Sequence, residues 1–207
     1  MTTQREYWDE YFKSKSSKEP MQDDWLIPYL SLLKSSNKII DLGCGDGADT
    51  FFLCKQGIDL IACDFSAQAL KRIKKRCPEI KTMCFDMEKG LPFEDNSIDI
   101  IISDLSLHYF NWEPTVNIVK EILRVNTPNG YLLGRVNSIK DINFGAMKGA
   151  EIERNYYYFN KCLKRFFNPN DIRNLFGEWE EIFLEEKSTN KCGVTKIVWE
   201  FCFKNKK

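Results

Sequence analysis

Short apolar runs alternate with longer amphipathic stretches along this chain, which is typical of a parallel sheet with helical crossovers. Apolar and β-branched residues predict strands at 39–42, 58–63, 79–85, 99–103 and 131–136. Apolar residues at helical spacing predict helices that start at residue 48 and cover 67–76 and 114–123. This order of elements predicts a doubly wound α/β sheet with helices on both faces.

The two ends of the chain add further elements. Residues 4–13 and 24–33 predict helices before the first strand, and residues 179–187 and 194–203 alternate as two strands of a C-terminal antiparallel hairpin. The sheet is then seven-stranded, Rossmann-like and mostly parallel. We predict a single domain over 1–207, with residues 1–36 as an N-terminal helical lid. Residues 137–168 interrupt the alternation and are expected to be an insertion over the active site.

The first predicted strand ends in a turn with glycine at every second position, namely Gly43, Gly45 and Gly47. Glycine leaves no Cβ between the backbone and a ligand, so the turn can press against a flat molecule. Gly43, Gly45 and Ala48 satisfy the dinucleotide fingerprint G-x-G-x-x-G/A, in which a pyrophosphate lies on the helix N-terminus. A nucleotide-type ligand is therefore expected at this turn.

Three carboxylates, those of Asp41, Asp46 and Asp49, surround the same turn. They would repel a doubly charged pyrophosphate at close range. A cationic ligand without phosphate suits the turn better than a dinucleotide does.

Asp64 stands at the end of the second predicted strand, 17 residues after Gly47. In a doubly wound sheet this position lies beside the first turn, where a carboxylate can accept hydrogen bonds from both ribose hydroxyls. Phe65 follows it and could flank an adenine ring. Asp64 thus supports an adenosine ligand, whichever class of nucleotide carries it.

These residues carry a resemblance to a known family. The Asp-x-Gly-x-Gly-x-Gly spacing from Asp41 to Gly47 resembles the first motif of class I S-adenosylmethionine-dependent methyltransferases. Residues 91–101, Leu-Pro-Phe-Glu-Asp-Asn-Ser-Ile-Asp-Ile-Ile, are similar to that family's approach to its fourth strand. Asp86 follows the third strand, as an acidic residue does in the family. S-adenosylmethionine carries a sulfonium and an ammonium group, and it has no phosphate.

The resemblance implies a set of cofactor-binding residues that spans the carboxyl ends of four strands. Trp8 and Tyr11 of the first helix are included because that segment is similar to the Tyr-Trp-Asp openings of many small-molecule methyltransferases. Trp8 and Tyr11 are implied over the cofactor, with Gly43, Cys44 and Gly45 beneath it. Asp41 is implied at its amino-acid end, and Asp104 and Leu105 near the methyl group. At the other end, Asp64 and Phe65 are implied at the ribose and adenine, and Asp86 and Met87 at the adenine.

The implied reaction is an in-line displacement on a methyl group that the sulfonium already activates. The protein mainly aligns a nucleophile and excludes water, and a general base is needed only if the acceptor arrives protonated. Asp104 and His108, the single histidine of the chain, are the candidate catalytic residues. Both follow the fourth strand, at the edge where open α/β sheets bind ligands.

The acceptor is less defined by the sequence. Ser103-Asp-Leu-Ser follows the fourth strand in place of an Asn-Pro-Pro-Tyr-like string, so an adenine or glutamine amino group is not supported as acceptor, and a small molecule is favoured. Residues 135–167 loosely resemble those of tellurite-resistance-type methyltransferases. Two alternatives stay open: an NAD-dependent oxidoreductase, and a module that binds S-adenosylmethionine without turnover.

Composition limits the classes of partner that this protein is expected to bind. The formal net charge is zero, so no overall field favours nucleic acid or an anionic membrane. The N-terminus is polar and no apolar run is long enough to span a bilayer, which predicts a cytoplasmic protein. Eight cysteines occur without a C-x-x-C pair, so no metal site is expected. A monomer or homodimer is expected.

Overall fold

A computed structural model describes residues 4–15, 20, 23–191 and 193–207. The polar linker predicted at 14–20 therefore falls mostly outside the described residues, as do parts of the predicted lid. The strands of the main sheet are β1 (Ile39–Leu42), β2 (Ile61–Asp64), β3 (Lys81–Cys84), β4 (Ile98–Asp104), β5 (Asn126–Asn137), β9 (Trp179–Lys191) and β10 (Val194–Asn205).

The seven strands lie in the order β3-β2-β1-β4-β5-β10-β9. Strands β1 to β5 are parallel, whereas β10 is antiparallel to both β5 and β9. The predicted doubly wound sheet and its C-terminal antiparallel hairpin are confirmed. Strand order reverses between β1 and β4, so the carboxyl ends of these two strands open a crevice for a ligand.

The helices are α1 (Gln4–Ser14), α2 (Leu30–Lys34), α3 (Ala48–Lys55), α4 (Ala67–Arg76), α5 (Trp112–Val125) and α6 (Pro169–Leu175). Helix α4 has the predicted bounds because Ser66 caps it, with the Ala69 amide donating to Ser66 Oγ at 3.2 Å. The helix predicted over 24–33 is wrong in length. It is a 3₁₀ turn at Ile27–Tyr29 followed by the short α2, because Pro28 cannot donate a backbone hydrogen bond.

Helix α3 buries a different face from the one its apolar residues suggest. We expected Phe51, Phe52 and Cys54 to face the sheet, but the buried residues are Asp49, Thr50 and Leu53. Asp49 and Thr50 both hydrogen-bond to buried neighbours, so polar contacts decide the rotation of this helix.

The core lies on both faces of the sheet, which explains the apolar run in β4. Ile98 and Ile101 pack with α5 and α6 on one face, and Ile100 and Ile102 pack with Trp25 and the residues of α2 and α3 on the other. A strand that is covered on both faces has no polar alternation.

Residues 150–165, inside the predicted insertion, form a separate antiparallel sheet of β6 (Ala150–Glu153), β7 (Tyr156–Phe159) and β8 (Cys162–Arg165). The residues here show no periodicity because aromatic side chains occupy all four positions of β7, and therefore both of its faces. This small sheet lies against the loop after β4, since the Tyr156 hydroxyl donates to the Tyr109 carbonyl at 2.9 Å.

Candidate active site

The glycine turn after β1 is held close to the neighbouring strands. The amides of Gly43 and Cys44 donate to the Cys63 carbonyl at 2.8 and 3.0 Å, and Gly43 has a φ of +77°. A Cβ at Gly43 would lie 2.4 Å from the Cβ of Ser106, which follows β4. The turn therefore needs glycine both for its conformation and for the close approach of the β4 loop.

Two of the three carboxylates around the turn lie behind it. Asp41 accepts a 2.6 Å hydrogen bond from the Thr50 hydroxyl, and Asp49 accepts one of 3.0 Å from the Trp25 indole. Burial raises the pKa of Asp41 to about 7 and raises that of Asp49 well above its usual range. Both groups are thus costly to ionise.

Asp46, the third carboxylate, is on the outer side of the turn. Its Oδ2 lies 2.8 Å from the Lys15 ammonium and 3.8 Å from the Arg72 guanidinium. Lys15 follows helix α1, so this ion pair ties the N-terminal segment to the glycine turn.

Asp64 links the carboxyl end of β2 to the same turn. Its carboxylate accepts hydrogen bonds from the Gly45 amide at 2.9 Å and from the Ser66 amide at 2.8 Å. Burial raises its pKa to about 6, even though these hydrogen bonds favour the ionised form. A carboxylate oxygen has a second lone pair, so Asp64 can still accept from a ligand at neutral pH.

Asp104 ends β4 and is held by a buried arginine. Arg135 of β5 donates to the two carboxylate oxygens at 2.6 and 2.8 Å and to Asp23 at 2.7 Å, while its guanidinium lies 4.8 Å from the Trp25 ring centroid. This bidentate pair engages both oxygens of Asp104 and fixes the orientation of its carboxylate.

These elements surround a cavity of about 980 Å³ at the carboxyl edge of the sheet. Helix α1 forms one side of it: Trp8, Tyr11 and Phe12 line the cavity, and the helix is fastened to α4 by the Asp9–Ser66 hydrogen bond. The Trp8 and Tyr109 rings meet edge to face, with centroids 5.1 Å apart. Helix α1 and the β4 loop thus meet across the cavity.

Aromatic rings line one part of the cavity wall. We call Trp8, Tyr109, Trp112 and Tyr156 the aromatic end. Arg165 lies 5.5 Å from the Trp112 ring centroid and 5.0 Å from that of Tyr156.

One more acidic residue completes the aromatic end. Glu153 lines the cavity beside the rings and pairs with Arg165 at 2.9 Å. The Trp112 amide donates to the same carboxylate at 3.0 Å. The ionic groups of this wall are therefore matched within the protein.

Most of the residues predicted for the site line the cavity. They are Trp8, Tyr11, Gly43, Cys44, Gly45, Asp64, Phe65, Met87, Asp104 and Leu105. Asp41, Asp86 and His108 are not among the lining residues. Asp41 is turned to Thr50 behind the turn, and the Asp86 side chain accepts from the Glu88 amide and caps a 3₁₀ turn instead.

His108 is buried in the loop after β4, with its ring 4.2 Å from that of Tyr109 by centroids. Burial lowers its pKa well below the usual value, so the ring is neutral in the folded protein. The fourth strand brings His108 to the correct edge of the sheet, but the 3₁₀ turn at Leu107–Tyr109 directs it away from the cavity.

Sequence reasoning missed several lining residues. Phe12 is not among the predicted site residues, and Ser106 follows a predicted strand without a distinguishing signal. Trp112, Glu153 and Lys191 also line the cavity, each from a different element. The aromatic density of 156–159 was the one signal that could have pointed to the β6–β8 sheet. Among the described residues, no cluster of side chains suits a metal ion, and no helix is long and apolar enough to cross a membrane.

Comparison with known proteins shows which proteins this chain is similar to. Residues 39–130 match the model of a methyltransferase domain. A demethylmenaquinone methyltransferase from Paenarthrobacter aurescens is 37% identical over 101 residues, which is 49% of this chain and 39% of that protein. A SAM-dependent methyltransferase structure from Methanosarcina mazei has a TM-score of 0.77 at 15% identity, over 89% of this chain and 99% of that chain.

Residues 39–130 are thus similar to a methyltransferase domain, and the fold is that of solved SAM-dependent methyltransferases. TehB from Haemophilus influenzae is also similar, with a TM-score of 0.67 and 18% identity over 96% of this chain and 67% of that chain. At that identity the likeness shows the fold alone, so the closer resemblance to tellurite-resistance-type enzymes stays a prediction.

The coverage of these matches separates the two ends of the methyltransferase cavity. The chain spans about half or less of the length of the curated relatives that it matches. The family match ends at residue 130, before the β6–β8 sheet. The similarity therefore bears on the glycine turn and the strand ends, and the aromatic end has to be interpreted from its own residues.

Proposed function

We propose that this methyltransferase binds S-adenosylmethionine along the glycine turn and transfers its methyl group to a small-molecule acceptor at the aromatic end. The observation that carries the proposal is the placement of Asp64: a buried carboxylate on the cavity wall, bonded to the Gly45 amide, at the end of the strand beside the turn. That is where a ribose needs a hydrogen-bond acceptor.

The residues fit the cofactor. Gly43, Cys44 and Gly45 line the cavity, so the backbone of the turn can lie against a flat adenosine group. Phe65 and Met87 offer apolar contacts on either side of this region, and helix α1 covers it. When bound, S-adenosylmethionine supplies a methyl group that its own sulfonium activates. Residues 1–36 are proposed to act as a lid, in which α1 and Lys15 line the cavity.

The protein's contribution is alignment and exclusion of water. Trp8, Tyr11 and Phe12 cover the cavity, while Arg135 holds the Asp104 carboxylate in a single orientation. Asp104 is engaged by this cation and His108 is off the wall, so neither is placed to remove a proton from an acceptor. The in-line displacement then depends on an acceptor whose nucleophilic atom is already free of its proton.

A small molecule is supported by the size of the cavity. Ligand cavities range over about 300–1,000 Å³, and the one here, of about 980 Å³, leaves room for an acceptor beside a cofactor. Similarity to a demethylmenaquinone methyltransferase is consistent with this class of acceptor. An NAD-dependent oxidoreductase is not favoured, because residues 39–130 match the model of a methyltransferase domain.

Thermal unfolding and calorimetric titration with S-adenosylmethionine, S-adenosylhomocysteine and NAD test the proposal. A ligand at about a hundredfold excess over its dissociation constant adds roughly 2.7 kcal/mol to the unfolding free energy. We expect the first two ligands to raise the melting temperature and NAD to leave it unchanged. A shift with NAD alone would contradict the proposal. Binding without any S-adenosylhomocysteine release across a broad acceptor panel would favour the non-catalytic alternative.

A further inference from the structure

We propose that the aromatic end is a subsite for a flat aromatic acceptor with an ionised hydroxyl group. This rests on the proposed function and adds the class of acceptor to it. Three features of the wall carry the argument: its rings, the pairing of its charges, and the lysine at its rim.

The rings favour a flat and largely apolar molecule. Tyr109, Trp112 and Tyr156 come from three separate segments and converge on one end of the cavity. Their neighbouring polar groups are used internally, since the Tyr156 hydroxyl donates to the Tyr109 carbonyl and the Trp112 amide donates to Glu153. Such a wall offers ring contacts and few unmet hydrogen bonds, so it suits an aromatic ligand better than a sugar or a peptide.

Charge pairing argues against a cationic amine as acceptor. Aromatic rings attract a cation through their negative faces, but here the Arg165 guanidinium already lies 5.5 and 5.0 Å from the Trp112 and Tyr156 centroids. Glu153 is neutralised by the same arginine at 2.9 Å, and Asp104 is neutralised by Arg135. Of the described carboxylates that line the cavity, Glu153 and Asp104 are thus each paired with an arginine and offer little to an ammonium group.

The rim favours an anion. Lys191, at the end of β9, lines the cavity and places an exposed ammonium group near the aromatic end. Glu113, also exposed, lies on the rim and opposes it. Neither Asp104 nor His108 is placed to take a proton, so an acceptor that has already lost its hydroxyl proton to solvent matches the site.

The transfer step balances without any further reactant. The aryl oxygen attacks the methyl carbon, a carbon–oxygen bond forms and the carbon–sulfur bond breaks. The electron pair of the broken bond returns to sulfur, which becomes a neutral thioether. The products are an aryl methyl ether and S-adenosylhomocysteine.

Binding of two matched aromatic probes tests the charge preference. Protein saturated with S-adenosylhomocysteine is titrated at pH 8 with 4-nitrophenolate and with benzylammonium, followed by tryptophan fluorescence and calorimetry. We expect 4-nitrophenolate to bind several-fold more tightly, and only 4-nitrophenol to yield a methylated product when S-adenosylmethionine is supplied. Tighter binding of benzylammonium, or no binding of either probe, would overturn the proposal.

Three variants at the rim test the role of the Lys191 charge. Lys191→Gln is expected to weaken 4-nitrophenolate binding about two- to fivefold, the size of an exposed ion pair, and Lys191→Arg to retain it. Glu113→Gln is expected to strengthen it or leave it unchanged. All three variants should bind S-adenosylhomocysteine like the wild type. Equal effects of Lys191→Gln on both probes would contradict the role of the lysine charge.

Ring variants test the wall itself. Tyr156→Phe keeps the ring and loses only the hydrogen bond to Tyr109, whereas Trp112→Leu removes a ring. We expect Trp112→Leu to weaken 4-nitrophenolate binding much more than Tyr156→Phe does, at constant affinity for S-adenosylhomocysteine. If no variant and not even the wild type bound S-adenosylhomocysteine, the proposed function would fail. If it bound but Trp112→Leu left the aromatic probe unaffected, only the acceptor subsite would fail.

Discussion

Replacing Asp64 with asparagine removes one charge from the cavity wall and keeps the shape of the side chain. The carboxylate accepts two backbone hydrogen bonds, at 2.9 Å from Gly45 and 2.8 Å from Ser66. Asparagine has one oxygen to accept with, and its amide group faces a donor where the second oxygen was. The substitution therefore weakens the local hydrogen bonding and also relieves the burial of a charge.

The two effects on folding oppose each other. Burial raises the Asp64 pKa from 3.8 to about 6, which corresponds to about 3 kcal/mol disfavouring the buried charge at neutral pH. Loss of a hydrogen bond to a charged group costs about 1.5–3 kcal/mol. The unfolding free energy of Asp64→Asn should thus change little, whereas cofactor affinity should fall. A loss of about 2–3 kcal/mol in binding is roughly a 30- to 150-fold weaker dissociation constant.

The pH dependence follows from the same pKa. The folded protein binds a proton at Asp64 more tightly than the unfolded chain, so this group's contribution to stability rises as the pH falls from about 6 toward 3.8. Affinity for S-adenosylmethionine should change in the opposite direction and fall below about pH 6, because the ribose hydroxyls need the ionised carboxylate as their acceptor.

Calorimetric titration of S-adenosylmethionine at pH 8, 6 and 5 measures both expectations. Asp64→Asn should bind weakly at every pH and show no fall in affinity near pH 6. The exposed Asp59 offers a matched control, since Asp59→Asn removes the same charge away from the cavity and should bind like the wild type. Wild-type affinity in Asp64→Asn would refute the assignment of this carboxylate to the cofactor.

Two further predictions address the turn and the histidine. Gly57 has a φ of +74°, and a Cβ added there would have no atom within 4 Å. Gly57→Ala should therefore lower the unfolding free energy by about 1 kcal/mol, measured by urea denaturation. Gly43 has a similar φ of +77°, but its added Cβ would lie 2.4 Å from the Cβ of Ser106. Gly43→Ala should therefore lower the unfolding free energy by about 1–3 kcal/mol more than Gly57→Ala does. Equal losses would show that the close approach to Ser106 does not affect stability. His108→Leu should retain methyl transfer and its pH profile between 5 and 8, because the buried ring is neutral. If His108→Leu lost turnover at unchanged cofactor affinity, His108 would again be a candidate general base.

Local sequence was enough wherever neighbouring residues decide the structure. The Ser66 cap set the bounds of α4, the isoleucine run of β4 predicted a strand buried on both faces, and the C-terminal alternation predicted the antiparallel hairpin. Propensity, capping and periodicity all act over a few residues, so they are visible in the sequence.

The helix over 24–33 and the buried face of α3 were predicted wrongly because single residues outweighed the apolar pattern of each segment. A proline shortened the first helix, and polar contacts of Asp49 and Thr50 turned the second. In both cases one specific backbone or side-chain interaction outweighed the average preference of the segment.

The sequence by itself determined the order of the strands, the glycine turn and the position of Asp64, because the carboxyl ends of parallel strands must share one edge. Only the tertiary structure decided which side chains reach the cavity. Asp86 caps a turn, Asp41 bonds to Thr50, and His108 points into the interior, although all three follow strands at the correct edge. Side-chain direction depends on packing partners from distant segments. Arg165, which packs against the Trp112 and Tyr156 rings, is a partner that no local sequence pattern predicts.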